Sequence, residues 1–185
     1  MQAVSRRPGA LGVHSLDQFE FAVPDLAVAR AFYERFGLDV RERDGGLGLY
    51  TFGHPHRWAR IVEGSKKALR HISFGAFEDD LPAFREQLKK HNVALVEGPT
   101  SLNNSSLWFR DPHGVLLQVQ AAGKSSPDTK SLPLPAPTPG LRGAPMRGEV
   151  PQVHARRLSH ALFFTPEMDA TVDFYSRVLG LRIWR

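Results

Sequence analysis

The chain has 185 residues, of which 42% are apolar, and this is enough to build a hydrophobic core. Its formal net charge is +5 and it has no cysteine, which excludes disulfides, thiolate metal sites and cysteine nucleophiles and leaves nitrogen and oxygen ligands for any metal. It also lacks a secretory signal and any run of roughly 18 apolar residues, so the sequence predicts a cytoplasmic protein with no membrane partner.

The first predicted element is a strand over 18–23, which is followed by a helix. Polar or small residues alternate with phenylalanine and valine from Gln18 to Val23, as in a strand with one apolar face. Asp25 then offers an N-cap oxygen, and apolar residues recur at helical spacing from Leu26 to Phe36. Gly37 is suited to the left-handed conformation that ends a helix.

A second strand–helix opening starts at His71, in the stretch HISFGAFEDDLPAFREQLKKHNV. Asp79 or Asp80 is predicted to cap its helix, since an aspartate oxygen can accept from the first backbone N–H groups. The segment 111–114, Asp-Pro-His-Gly, predicts a hairpin turn, because proline fixes φ and glycine closes the turn. Runs of strand length lie between these features, over 48–52, 58–62, 93–97, 107–110 and 115–120.

Residues 121–157 are predicted to form a basic linker. The stretch 121–155 holds seven of the chain's fourteen prolines and shows no apolar periodicity, which favours an extended connection between domains. From Ala121 to His160 there are six lysines or arginines against two acidic residues, and no aromatic residue that could stack on a base. We therefore interpret this charge as that of a solvated linker and expect no nucleic-acid partner.

A third opening begins at 158 and indicates an internal repeat. With an offset of 142 residues, four residues of the first opening recur, so that Pro24, Phe32, Tyr33 and Arg35 fall on Pro166, Phe174, Tyr175 and Arg177. Thr165 is predicted to cap this helix, with Pro166 as its first residue and Gly180 as its end. The repeats predict a tail over 1–15, units at 16–62 and 69–120, and a further unit that starts at 158.

These motifs resemble the vicinal oxygen chelate superfamily. The repeated βαβββ unit has an opening strand followed by PDL or TPE, a helix ending in FYERFGL or FYSRVLGL, and the closing stretch FRDPHGVLLQV. The resemblance implies an α+β fold in which two units pair into a cupped, incomplete barrel. Residues 16–120 would form one such domain, and 158–185 would open a second, catalytic-type domain.

The linker followed by RLSHALFFTPEMDATVDFYSRVLGLRI resembles the type I extradiol ring-cleavage dioxygenases. The resemblance implies a parent enzyme of aromatic catabolism that inserts O2 into a catechol-like ring, using non-haem Fe(II), or Mn(II), held in the second domain by two His and one Glu. His160 matches the first of these ligands. The other ligands and the acid–base residues are expected beyond Arg185, so the 185-residue chain is expected to be inactive alone. A homo-oligomer is also expected.

The same correspondence places Gln18, His71 and Gln118 at the ligand positions of the first domain. Two neutral amides and one imidazole lack the charge that a carboxylate brings to a divalent cation. We therefore expect vestigial positions and no cofactor in this domain. The other histidines, in loops or the linker, are interpreted as ordinary surface residues: His54, His56, His91, His113 and His154.

Two other functions stay open. The paired units over 16–120 could sequester a small hydrophobic molecule without a metal, as drug-binding members of the superfamily do. A glyoxalase-like isomerase would use Gln18, Glu63, His71 and Gln118, with Gln118 standing in place of a carboxylate. The opening of a second domain favours the dioxygenase over both.

The segment 158–185 is predicted to have an apolar surface with no packing partner within the segment itself. This surface is formed by Leu162, Phe164, Phe174, Tyr175, Val178 and Leu179. Burying each large side chain is worth roughly 1.5–3 kcal/mol. We therefore expect this segment either to dock against the first domain or to mediate self-association.

The linker should be the first site of limited trypsin digestion, because it is rich in proline and basic residues and has no core residues. The expected early cuts follow Lys124, Lys130, Arg142 or Arg147, and mass spectrometry of the first fragments would identify them. Early cleavage within 16–120 would contradict the predicted domain boundary.

Overall fold

The computed structural model describes residues 9–99, 106–125, 139–140, 154–158 and 160–183. Over these ranges it has seven strands, namely β1 (Ser15–Val23), β2 (Asp39–Arg43), β3 (Gly46–Tyr50), β4 (Arg57–Glu63), β5 (Ala68–Ala76), β6 (Leu107–Arg110) and β7 (Leu116–Ala121). Its helices are α1 (Leu26–Arg35), α2 (Leu81–Lys90) and α3 (Met168–Leu179). None of the helices in these ranges is long and apolar enough to cross a membrane.

The strands form one open, mixed sheet in the order β2-β3-β4-β1-β5-β7-β6. In the first half β1 runs parallel to β4, and in the second half β5 runs parallel to β7. The halves meet where β1 and β5 pair antiparallel, with Phe19 opposite Ile72 and Glu20 opposite His71. The predicted α+β class, with an incomplete barrel, is confirmed.

The two halves differ at their outer edges. The first half has strand β2, which the sequence analysis did not predict. In the second half the predicted strand over 93–97 is wrong, since Leu95 forms only an isolated bridge with Phe109. Gly98 and Pro99 follow directly, and a proline cannot donate a ladder hydrogen bond, so the pairing ends there.

The ends of the helices test the predicted caps. The Asp25 carboxylate accepts from the Val28 N–H at 2.9 Å, and Gly37 has a φ of +93°, both as predicted. At α2 the Asp80 side chain makes no cap hydrogen bond, because a single 3-10 turn over Glu78–Asp80 places Asp80 in helical rather than extended backbone.

The predicted start of α3 is wrong by two residues. Glu167 occupies the N-cap position and the helix begins at Met168. The Thr165 hydroxyl does accept from the Glu167 N–H at 3.2 Å, but it forms a turn before the helix rather than the cap itself. Gly180 ends α3 with a φ of +70°, as predicted.

Two hydrophobic cores cover the same side of the sheet. Ala29 of α1 packs with Leu47, Leu49, Ala59 and Ile61 in a first core, here called the α1 core. Phe84 and Leu88 of α2 pack with residues of β5, β6 and β7 in a second core, here called the α2 core. Val178 and Leu179 of α3 join this second core and are 3% and 0% exposed. Of the two outcomes expected for this segment, docking against the first domain is the one that the structure shows.

Residues 11–14 belong to the tail predicted over 1–15, but they pack against the first domain and against α3. Leu11 and Val13 pack against the α2 core, and the Val13 N–H donates to the Leu179 carbonyl at 3.0 Å. Gly180 lies so close to the Leu11 carbonyl that a β-carbon there would overlap it. Residues 1–8 of the predicted tail, and 126–138 and 141–153 of the predicted linker, lie outside the described residues.

Replacing Leu179 by alanine should lower the free energy of unfolding by about 2–5 kcal/mol, because the truncation leaves a cavity in the α2 core. Chemical denaturation followed by tryptophan fluorescence would measure the change. Leu162→Ala is the matched control in the 185-residue chain, where Leu162 is 79% exposed and its loss should cost less than about 0.5 kcal/mol. Equal midpoints for both variants would mean that α3 is not part of the core.

Candidate functional site

The face of the sheet opposite α1 and α2, here called the concave face, brings the predicted ligand positions together. Gln18 pairs with Ser73 across β1 and β5, and Ser73 pairs with Gln118 across β5 and β7. Paired residues share one face of a sheet, so the two glutamines flank Ser73. His71 lies two residues before Ser73 on β5 and therefore on the same face.

Both glutamine amides are engaged by the protein. Gln118 accepts a short hydrogen bond from the Ser73 hydroxyl, and its Nε2 lies 2.7 Å from the Ser106 hydroxyl oxygen. The Gln18 Oε1 accepts from Nε of Arg57 at 3.3 Å. Sequence reasoning missed Ser73, whose position two residues after His71 on a predicted strand was the available signal.

A largely buried ion pair crosses the same face. Arg60 donates to the Glu20 carboxylate at 2.8 Å, and the two side chains are 16% and 10% exposed. Glu20 is also the register partner of His71. Neither Glu20 nor Arg60 was among the predicted site residues.

His71 is as enclosed as Gln118, each at 2% exposure. Its ring meets the Trp108 ring edge to face, with centroids 5.0 Å apart, and its Nδ1 has no hydrogen-bond partner. Burial lowers the pKa of His71 below its usual value, with Glu20 opposing this shift and Arg60 and Arg57 adding to it. The imidazole is therefore neutral near pH 7.

The concave face does not fit a divalent cation. A neutral imidazole with an unpaired nitrogen would suit a metal, but both amides are held by protein partners and the Glu20 carboxylate is paired with a guanidinium. Two arginines, Arg57 and Arg60, add positive charge. In the part of the chain that the structure describes, no three His, Asp or Glu side chains converge as a metal site.

Glu63, the further ligand of the glyoxalase alternative, does not reach this face. It is exposed at the end of β4, in register with Val23. Side chains alternate along a strand, so Glu63 lies on the same side as Ile61, which is buried in the α1 core. The four residues of that alternative are therefore not brought together.

His160 lies in the C-terminal segment, outside the sheet. The predicted strand at this position is wrong for the described residues 160–166, which join no ladder. The chain still alternates: Phe163 packs against the α2 core, whereas Leu162 and Phe164 are 79% and 95% exposed. His160 is also exposed and lines a cleft of about 460 Å³ between this segment and the first domain.

Several side chains interpreted as surface residues have partners. His113 Nε2 lies 2.8 Å from the hydroxyls of Thr165 and Thr171. His56 Nε2 lies 2.7 Å from the Asp17 carbonyl oxygen, and the His154 ring packs at a tilt against the Phe52 ring, with centroids 4.2 Å apart. His113 and His154 are exposed, so they are surface residues as predicted, although both contact segments distant in sequence. His56 is half-buried, and the surface interpretation is wrong there, because it took no account of the β1 residue beside it.

Tyr175 connects α3 to the hairpin turn of the first domain. Its hydroxyl donates to the Asp111 carboxylate at 3.1 Å. Burial raises the pKa of Tyr175 well above its usual value, and the charge of Asp111 and this hydrogen bond act in the same direction. The phenol is therefore protonated and available as a donor throughout the physiological range.

Comparison with known proteins places this fold in a family. Metapyrocatechase 2 of Cupriavidus necator is 43% identical over 183 residues, which is 98% of this chain and 57% of that protein. Among solved structures, a Mn(II)-bound glyoxalase from Novosphingobium aromaticivorans matches 93% of this chain and 54% of its own with a TM-score of 0.66 at 19% identity. BphC, a halotolerant catechol dioxygenase, matches 91% of this chain and 55% of its own with a TM-score of 0.64 at 17% identity.

The chain thus spans little more than half the length of the proteins that it matches. The structural matches show the fold alone, at their low identity. The family model described as Glyoxalase/Bleomycin resistance protein/Dioxygenase superfamily matches residues 15–119, from the first residue of β1 almost to the end of β7. The chain belongs to this superfamily.

Proposed function

We propose that the whole protein is an extradiol dioxygenase that cleaves a catecholic ring with O2. The observation that carries the proposal is the 43% identity to a metapyrocatechase, which extends over 183 residues and so includes the C-terminal segment as well as the first domain. A paired-unit domain alone would not distinguish a dioxygenase from other members of the superfamily.

His160 is proposed as the first ligand of a non-haem metal, Fe(II) or Mn(II), in a second domain that starts at 158. Its support is the alternation of the segment, in which Phe163 packs inward while His160, Leu162 and Phe164 stay exposed. This exposed face is the one that further strands would cover. When bound, such a metal supplies adjacent positions for the two catechol oxygens and for O2.

The first domain, over 16–120, is proposed to hold no metal and to act as a structural partner of the second. The support is the chemistry of the concave face, where amides and arginines surround His71. The linker over 121–157, the cytoplasmic location and the homo-oligomer stay predictions of the sequence.

The alternative of a metal-free module for a small hydrophobic guest is less well supported. The concave face is lined by the Glu20–Arg60 ion pair and by glutamine amides, and an apolar guest would have to desolvate these groups without replacing their partners.

The whole protein supplied with Fe(II) should consume one O2 per catechol and incorporate both oxygen atoms into the ring-fission product. An oxygen electrode and ¹⁸O2 labelling with mass spectrometry would test this. His160→Ala should fold normally but lose most bound iron and ring cleavage, because one of the few metal ligands is gone.

The matched control is His154→Ala, which removes an exposed histidine of the predicted linker, six residues before His160, and should keep both properties. Iron binding and ring cleavage that survive in His160→Ala would remove His160 from the site. No O2 uptake with catechol or alkyl- and aryl-catechols would contradict the proposed function itself.

His71→Gln in the whole protein should leave the iron content at one per chain, because the concave face of the first domain is proposed to hold none. Atomic absorption on the purified protein measures the metal, and circular dichroism checks that the variant folds. Gln18→Ala, at a half-buried position, repeats the test if the buried substitution prevents folding. Loss of one iron from either folded variant would show a metal site in the first domain.

A further inference from the structure

The hairpin turn between β6 and β7 binds the C-terminal segment through a set of polar side chains that the proposed function does not use. We call this set the latch: it consists of Asp111 and His113 in the turn and of Thr165, Thr171 and Tyr175 in the C-terminal segment. Apolar contacts also hold the segment against the first domain, but they have little directional preference. Hydrogen bonds are directional and therefore constrain the orientation of α3 on the domain more closely.

Asp111 has two functions at once. One carboxylate oxygen accepts from the backbone N–H groups of His113 and Val115, both at 2.9 Å, which holds the turn in shape. The other accepts from the Tyr175 hydroxyl at 3.1 Å. Asp111 is 8% exposed, so this charged hydrogen bond is largely removed from competition with water.

His113 adds a second point of attachment one helical turn away. Its Nε2 lies 2.8 Å from the hydroxyl oxygens of both Thr165 and Thr171, which are themselves 2.9 Å apart. Thr171 donates to the Glu167 carbonyl at 2.9 Å, so its oxygen is left to accept. All of these contacts are compatible when His113 carries its proton on Nε2 and shares it between the two hydroxyl oxygens, and Thr165 donates to Thr171.

The latch therefore fixes the chain next to His160. Thr165 lies five residues after His160, and Phe163 between them packs against the α2 core. On the other side of α3, Gln87 Nε2 donates to the Arg177 carbonyl at 2.5 Å. None of the described residues of the segment that carries His160 joins a sheet ladder. The contacts with the first domain are therefore what hold this segment in place.

We propose that Asp111 and His113 are positioning residues for His160, so that the first domain sets the place of the first metal ligand through the latch. This inference rests on the proposed function. The chain also provides a matched control. Tyr33 is the counterpart of Tyr175 in the repeat and lies on α1, where its ring packs against Phe32 and the α1 core but does not contact the described part of the C-terminal segment.

The latch itself can be tested in the 185-residue chain without metal or substrate. Amide hydrogen exchange across 165–180 should be at least about tenfold faster in Tyr175→Phe and His113→Ala. Each variant loses hydrogen bonds that keep the segment bound to the turn between β6 and β7. Tyr33→Phe should exchange like the wild type. Unchanged exchange in both latch variants would overturn the proposal.

The positioning role is tested in the whole protein by Fe(II) titration and by catechol kinetics. Tyr175→Phe and His113→Ala should weaken Fe(II) binding about tenfold or more and lower kcat with little change in KM, because the ligand is displaced but the substrate pocket is not. His113→Gln, whose amide can still donate to the threonines, should recover part of the loss. Tyr33→Phe should match the wild type in both measurements.

A purely structural latch gives a different result. In that case the variants melt at a lower temperature, but the folded protein keeps its Fe(II) affinity and kcat, and the positioning role is overturned. A whole protein that binds no iron and cleaves no catechol overturns it as well, and the exchange experiment then shows whether the latch exists although the proposed function fails.

Discussion

The antiparallel pairing of β1 with β5 is the interaction on which the rest of the structure depends. Each of these strands also pairs with a parallel strand of its own half, so this single ladder joins the two halves into one sheet. Its register sets Phe19 against Ile72 on the helix side and Glu20 against His71 on the concave side. A slip of one residue would exchange the two faces and bury charged side chains under the helices.

The charges on the concave face explain why it differs from a metal centre. Removing Glu20 and Arg60 from water costs several kcal/mol per ion unless they pair with good geometry, as they do at 2.8 Å. A divalent cation at this place would have to compete with the guanidinium for the carboxylate. The face is therefore better suited to joining strands β4, β1 and β5 than to binding a cation.

The C-terminal segment depends on the first domain for its order. Leu179 and Val178 are buried in the α2 core, and the Val13 N–H and the Gln87 side chain bind carbonyl groups near the end of α3. The opposite side of the same segment, at Leu162 and Phe164, remains open to solvent. One face is thus buried against the first domain, and the other is the face that the proposed second domain would cover.

The sequence by itself determined the elements whose signals are local. The alternation from Gln18 to Val23, the Asp25 cap and the glycines at 37 and 180 act over a few residues, and each appears in the structure as predicted. The repeat with its offset of 142 residues also identified α3 as the counterpart of α1. Only the tertiary structure decided which of these elements have partners.

Segment 93–97 and residues 160–166 have strand-like patterns but lack a ladder, because a strand exists only where a neighbouring chain accepts its hydrogen bonds. The same reason separates the predicted site residues from the missed ones. Gln18, His71 and Gln118 could be placed on one face from the repeat, whereas the Glu20–Arg60 pair and the contact of His113 with Thr171 join positions 40 and 58 residues apart. Contacts between positions so distant in the chain are set by packing, which no local pattern records.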